Sequence, residues 1–303
     1  MKKYLFIVVA FAIISCKPAK KDENQKLQVV TTTTMITDLL KNVGGDKIDV
    51  NGLMGTGVDP HLYKASEGDV GKLYNADVIV YNGLHLEGKL EDVFEKMRQQ
   101  NKKIIAVSDV LDKSTLIGSE YFASSYDPHI WFDISNWQQI TGYVVEKLSE
   151  EDPKNASSFE LNGKLYLEKL SSLKTIISTE VNKLPVEKRI LVTAHDAFNY
   201  FGKAYDFNVV GLQGLSTATE AGVKDVQKMA RFIIEEQVKA IFVESSVPKR
   251  IIEALVEAVK SKGHEVRIGG TLFSDALGSD GTEEGTYIGM YKYNVQTIVN
   301  SLK

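Results

Sequence analysis

Three histidines carry the chemistry in this sequence, and two of them share a setting. Val58-Asp59-Pro60-His61-Leu62-Tyr63 is echoed by Tyr126-Asp127-Pro128-His129-Ile130-Trp131. With only six prolines and five histidines in 303 residues, two Pro-His pairs, each preceded by aspartate, ask for a common cause. Asp-Pro forms a turn with fixed φ at the proline, so the next side chain is presented rigidly. Leu62 and Ile130 can bury beside it. A preorganised imidazole suits a metal ligand, because little ordering cost remains for binding. His195, in Val192-Thr193-Ala194-His195-Asp196-Ala197-Phe198, follows a strand signal, and open α/β sheets bind ligands at the carboxyl ends of their strands. His61, His129 and His195 lie 68 and 66 residues apart, with no local motif of the HExxH kind. His85, in Asn82-Gly83-Leu84-His85-Leu86, has no echo and reads as structural. His264, after Gly263, reads as a surface residue. A fourth ligand should be a carboxylate or water. Asp275 follows the last strand signal, Glu244 ends another, and Glu220 competes with both.

Such residues need elements to position them. Strand signals, short apolar runs rich in β-branched residues, fall at Leu27–Thr33, Asp49–Met54, Asp77–Tyr81 and Lys103–Val107. They recur at Arg189–Thr193, Asn208–Leu212, Lys239–Val243 and His264–Ile268. Helical periodicity lies between them, at Met35–Val43, Ala65–Tyr74, Glu87–Gln100 and Ser135–Ser149 in the first half. In the second half it covers Ala197–Tyr205, Val223–Gln237, Pro248–Lys262 and Gly285–Leu302. The fold class this predicts is α/β, with two lobes of roughly four parallel strands each, flanked by helices. Between the lobes, Tyr166, Leu170, Leu173, Ile177, Val181 and Leu184 make one apolar stripe at spacings of three and four. Asp152 can cap this helix and Pro185 ends it, so one long rigid helix over Pro153–Leu184 joins the halves. The organisation expected is a first lobe over 27–152, the linking helix over 153–184 and a second lobe over 185–303.

What precedes the first lobe is of another kind. Lys2-Lys3 is a basic start, and the apolar run Tyr4–Ile14 is a secretory h-region too short to span a bilayer. Ile13-Ile14-Ser15-Cys16 then looks like a bacterial lipobox, and Cys16 is the single cysteine of the chain. Residues 1–15 read as a signal peptide and 16–26 as a polar, lipid-anchored tether. One cysteine excludes disulfide scaffolds, zinc ribbons and iron–sulfur clusters. A net charge of -4 gives no basic surplus to attract nucleic acid.

Taken together, Gly57-Val58-Asp59-Pro60-His61, Tyr126–Asp133, Thr193–Phe198, Phe242-Val243-Glu244-Ser245-Ser246 and Gly269–Asp275 resemble the zinc/manganese solute-binding proteins of bacterial ABC importers, nearest the TroA type. The likeness runs from about Val29 to the C-terminus. It implies metal ligands at His61 and His129 from the first lobe and His195 and Asp275 from the second. It also implies Zn²⁺ as cargo, with Mn²⁺ possible, and a cognate membrane permease as partner. An exported protein, lipid-anchored on the periplasmic or cell-surface face of a bacterial membrane, follows as well, and no catalysis. Manganese-type relatives often carry Glu at the third ligand, where this chain has His195. Zinc-uptake relatives often carry a His-rich loop before the second, where Leu111–Tyr126 has no histidine. Two rival classes use the same residues differently: a metal-dependent hydrolase with an open coordination position, and a surface adhesin. If Cys16 is the acylation site, Cys16→Ala should leave the protein soluble outside the cytoplasm, as fractionation would show. A membrane-bound variant would refute the anchor.

Overall fold

The computed structural model describes residues 25–119 and 122–303. The signal segment and Cys16 lie outside the described residues. The first lobe begins with β1 (Leu27–Thr31), α1 (Thr34–Gly44) and β2 (Ile48–Gly52). It continues through α2 (Glu67–Asn75), β3 (Val78–Tyr81), α3 (Glu91–Gln99), β4 (Lys103–Ala106) and α4 (Ile134–Glu151). Its strands form one parallel sheet in the order β2-β1-β3-β4. Val29, Val30 and Thr31 of the central strand β1 are buried whichever face they point to, which is why that strand reads as an apolar run. Local signals fix the helix starts. The Thr33 side chain accepts from Ile36 N–H, Ser66 and Asp69 form a reciprocal capping box, and Asp133 accepts from Ser135 N–H.

The second lobe comprises β5 (Ile190–His195), α6 (Asn199–Tyr205), β6 (Asn208–Gln213) and α7 (Val223–Glu235), then β7 (Ala240–Glu244), α8 (Arg250–Lys260), β8 (Arg267–Leu272) and α9 (Tyr287–Leu302). Its four strands hydrogen-bond as two parallel pairs, β5–β6 and β7–β8, instead of one ladder. At the top of the β5–β7 seam, the His195 N–H is donated to the Glu244 carboxylate, so side-chain bonding replaces strand pairing there. Most strand boundaries fall within two residues of the pattern in the sequence, and two differences matter here. β5 runs on to His195 itself. β8 lies over Arg267–Leu272, not His264–Ile268, because Gly269-Gly270 continues the strand instead of breaking it. A Cβ on Gly269 would meet Phe242 and Ser301 at 2.8 Å, and the pairing shifts register at Ile241/Phe242. Helix α3 starts at Glu91, later than its periodicity suggests. The Glu87 carboxylate accepts from Asn82 and Gly83 N–H and from the Thr32 hydroxyl, which ties the preceding residues into a turn.

Helix α5 (Ala156–Val181) runs between the lobes, preceded by a 3-10 turn at Pro153–Asn155 in which Asp152 makes no side-chain cap. At 1.5 Å per residue it is about 39 Å long. Phe159, Tyr166, Leu170, Leu173, Ile177 and Val181 are its buried face, packed on α1 and α4 of the first lobe and α9 of the second. Gly163 within it has a packing reason: a Cβ would stand 2.3 Å from Val145 of α4. One apolar core therefore passes through both lobes, from Val29 and Trp137 to Phe242 and Tyr291, while each lobe keeps a smaller core of its own. Tyr287 stacks on Trp137 at 5.0 Å across the junction. No helix among the described residues is long and apolar enough to cross a membrane. Leu170→Ala should cost about 2–5 kcal/mol of stability in urea denaturation, through the cavity it leaves. Leu165→Ala, on the 48 % exposed side of the same helix, should stay within about 0.5 kcal/mol.

Candidate metal centre

His61 sits in the loop after β2 and His129 in the turn before a 3-10 helix over Ile130–Phe132. His195 is the last residue of β5, and Asp275 follows β8. The topology brings all four to the junction of the lobes. All are buried, the most exposed being His61 at 5 %, and one ligand atom from each lies within 4.8 Å of the others. The Nε2 atoms of His61 and His129 are 3.3 Å apart. Asp275 Oδ1 is 3.6 Å from His129 Nε2 and Oδ2 is 3.4 Å from His195 Nε2. Bonds of 2.0–2.1 Å to a tetrahedral ion would set its ligands about 3.3–3.4 Å apart. Three pairs, at 3.3, 3.6 and 3.4 Å, come close to that spacing within a cluster that spans 4.8 Å.

The echoed turns now have a shared cause. Asp59 Oδ1 accepts from the His61 N–H at 2.8 Å, and Asp127 Oδ1 accepts from the His129 N–H at 2.9 Å. Each aspartate thus closes a loop two residues wide that fixes its histidine. Asp127 Oδ1 also lies 2.7 Å from His129 Nδ1, which leaves Nε2 to face the cluster. His195 is held the same way by Glu244, whose Oε1 accepts the backbone N–H at 2.9 Å while Oε2 stands 2.6 Å from Nδ1. These orienting carboxylates were not assigned from the sequence, although aspartate two residues before histidine, twice, was the available signal. Glu244 thus lies behind a cluster histidine and not inside the cluster. Glu220 is exposed on the surface and pairs with Arg250 at 3.2 Å. His85 and His264 also stand apart: His85 Nδ1 is bound to Glu91, and His264 Nε2 faces the carbonyl of Val238.

The electrostatics of the four are uneven. Burial pushes the His61 imidazole down to about 3, against Asp275, which raises it, and with His129 and His195, which lower it further. Burial disfavours charge on His195 too, but the Glu244 and Asp275 carboxylates on its two sides outweigh it and raise its pKa well above the ordinary value. Burial would raise Asp275, yet His195 beside it holds the carboxyl well below the usual carboxylate range. His195 Nε2 and Asp275 Oδ1 make no well-aligned hydrogen bond despite complete burial. Buried polar atoms without partners are costly, so both atoms, each turned into the cluster, are arranged for something other than a hydrogen bond within it. Three neutral imidazoles and one carboxylate can coordinate a divalent transition ion once His195 gives up its proton.

A cluster of this kind, walled by two α/β lobes that one helix bridges, defines the class as metal-binding receptors with a cleft between lobes. Residues 29–301 match the family model described as ZnuA, zinc-uptake complex component A, periplasmic, and the chain belongs to that family. It is 47 % identical to the manganese-binding lipoprotein MntA of Bacillus subtilis, over 98 % of this chain and 97 % of that one. It is also 47 % identical to the zinc-binding protein TroA of Treponema pallidum, over 90 % and 88 % of the two chains. The solved structure of the periplasmic TroA protein superposes with a TM-score of 0.89, covering 92 % of this chain and 99 % of that one. The two-lobed α/β reading of the sequence therefore agrees with a solved relative.

Imidazole titration of the metal-free protein by NMR should find His61 neutral until about pH 3 and His195 still charged at neutral pH. The signs for stability are opposite. Charged His195 stabilises the fold below the ordinary histidine value, and that contribution is lost as pH rises through its raised folded value. His61 costs stability as pH falls from 6.5 to about 3, where only the unfolded chain takes up the proton. Glu244→Gln should lower the His195 value. A His195 that titrates near 6.5 in the wild type would contradict this picture.

Proposed function

We propose that this protein is an extracytoplasmic receptor that captures Zn²⁺ between its lobes and delivers it to the membrane permease of an ABC importer. His61, His129, His195 and Asp275 are the ligands in this reading. The observation that carries it is the meeting of three imidazoles and one carboxylate from two lobes, buried, close to the spacing of a tetrahedral shell. Three nitrogen donors favour Zn²⁺ over Mn²⁺ by the Irving–Williams order. Mn²⁺ is the second cargo, for a specific reason: the two Asp275 oxygens face different histidines, and a bidentate carboxylate would raise the coordination number toward what the harder ion prefers. The names of the two relatives at 47 % identity, one zinc-binding and one manganese-binding, leave both ions in play.

Delivery and not catalysis is the reading because four protein donors already fill a tetrahedral shell, whereas a catalytic zinc keeps a position open. The other acids close by, Asp59, Asp127 and Glu244, are engaged with His61, His129 and His195 and cannot serve as free bases. Splitting the ligands between lobes fits release, since a small displacement of one lobe breaks the shell. The relatives named as lipoproteins support an anchor at Cys16, with the polar stretch after it as a tether.

Competitive titration with Zn²⁺ and Mn²⁺ tests the reading. Alanine at His61, His129, His195 or Asp275 should each weaken Zn²⁺ binding by more than about a hundredfold, and Glu244→Gln by about ten- to a hundredfold through His195. His85→Ala and His264→Ala should bind like the wild type. If Asp275→Ala retains full affinity while Glu244→Ala loses it, the carboxylate ligand is Glu244 and the site must be redrawn.

A further inference from the structure

The two Asp-Pro-His aspartates share a second property that their turns do not require. Each uses one carboxylate oxygen on its own histidine and the other on a side chain of the opposite lobe. Asp127 Oδ2 accepts from Asn199 of α6 at 3.0 Å, and Asp59 Oδ2 accepts from the hydroxyl of Thr217, in the loop between β6 and α7. The surroundings of the two bonds differ. Asp127 is fully buried, its carbonyl also accepts from Tyr200, and nearby Trp131 donates across the lobes to the Ser274 carbonyl at 3.0 Å while accepting from Tyr287 at 2.7 Å. The His129 turn is therefore fixed to the second lobe several times over.

The His61 turn is not. It belongs to an irregular stretch between β2 and α2. Among the described residues, the bond to Thr217 is the one hydrogen bond that Asp59-Pro60-His61 makes to the second lobe, with Thr56 to the Gly278 carbonyl next along the loop. Thr217 is 8 % exposed, yet it and Asp59 line an open groove of about 710 Å³ with Leu62, Val247 and Ile251. A stretched bond there opens to solvent through the groove.

We propose that Thr217 is a positioning residue, whose hydroxyl holds Asp59 and so keeps His61 on the ion, setting the rate at which the metal leaves. This inference rests on the receptor reading and on His61 as a ligand. Breaking the bond frees one Asp59 oxygen, loosens the turn and lets one of the four donors withdraw while the other three stay fixed. The effect therefore falls mainly on dissociation, because loss of the bond lets a donor leave an already filled shell, and association changes little. A hydroxyl bound to a carboxylate belongs to the stronger class of hydrogen bonds, enough for about a tenfold change.

The test is stopped-flow transfer of Zn²⁺ from the loaded full chain to an excess chromogenic chelator. Thr217→Val, close in shape but without the hydroxyl, should release Zn²⁺ about tenfold faster, with an association rate and a metal-free melting temperature near those of the wild type. Thr217→Ser should restore slow release, since it restores the donor. Should the valine variant fail to fold, Thr217→Ala replaces it in the same comparison with serine. Unchanged release from the variant overturns the proposal, and so does fast release that serine does not correct. A wild type that takes up no Zn²⁺ overturns the receptor reading and this inference with it. Uptake by the wild type with unchanged release from the variant overturns this inference alone.

Discussion

Holding four donors within 4.8 Å of one another, away from water, is expensive before any ion arrives. An ionised carboxylate, Asp275, lies among three imidazoles, and a second, Glu244, presses on one of them from behind. The protein meets that cost by letting the charges answer each other. Between the two acids the His195 imidazole favours its charged form, and the His61 ring, kept neutral by burial, lies close to it. Much else in the molecule is arranged around keeping this cluster in place: the aspartate-closed turns, the β5 strand that runs one step into the site, and the core that crosses both lobes.

That shared core bears on how such a receptor can move. Helix α5 packs on helices of both lobes, and Tyr287 and Tyr291 of α9 donate to the carbonyls of Trp131 and Phe132 beside the His129 turn. With no flexible linker at the junction and apolar surface continuous through it, a wide hinge would expose core and break buried hydrogen bonds. A small tilt, or local motion of a single ligand loop, costs far less. The asymmetry between the two echoed turns points the same way, because one is locked into aromatic packing and the other is held by bonds at the rim of a groove.

In the proposed receptor the donor set would keep ion identity finely balanced. Nitrogen-rich ligation and tetrahedral spacing favour zinc. The placement of both Asp275 oxygens toward the cluster leaves room for a higher coordination number. A single carboxylate that can bind by one oxygen or two is enough to bring two ions within reach of one family of folds.

The sequence by itself determined a great deal. Alternating strand and helix signals are local, so they showed the two α/β halves, and the long apolar stripe from Tyr166 to Leu184 showed the helix between them. The repeated Asp-Pro-His turns marked two histidines, because a proline turn acts within three residues. Asp275 was separated from Glu244 and Glu220 only by the family likeness, since all three acids lie near second-lobe strand ends. Tertiary structure decided what depends on distant segments meeting. It placed Glu244 behind His195, set Glu220 on the surface beside Arg250, and divided the second lobe's strands into two pairs. It carried β8 through Gly269-Gly270, which local rules read as a break, because α9 and Phe242 need the space that a side chain would fill. Contacts such as Asp59 to Thr217, 158 residues apart, leave no mark on local pattern. They exist because folding brings the two loops to one edge, and hydrogen-bond geometry is settled only there.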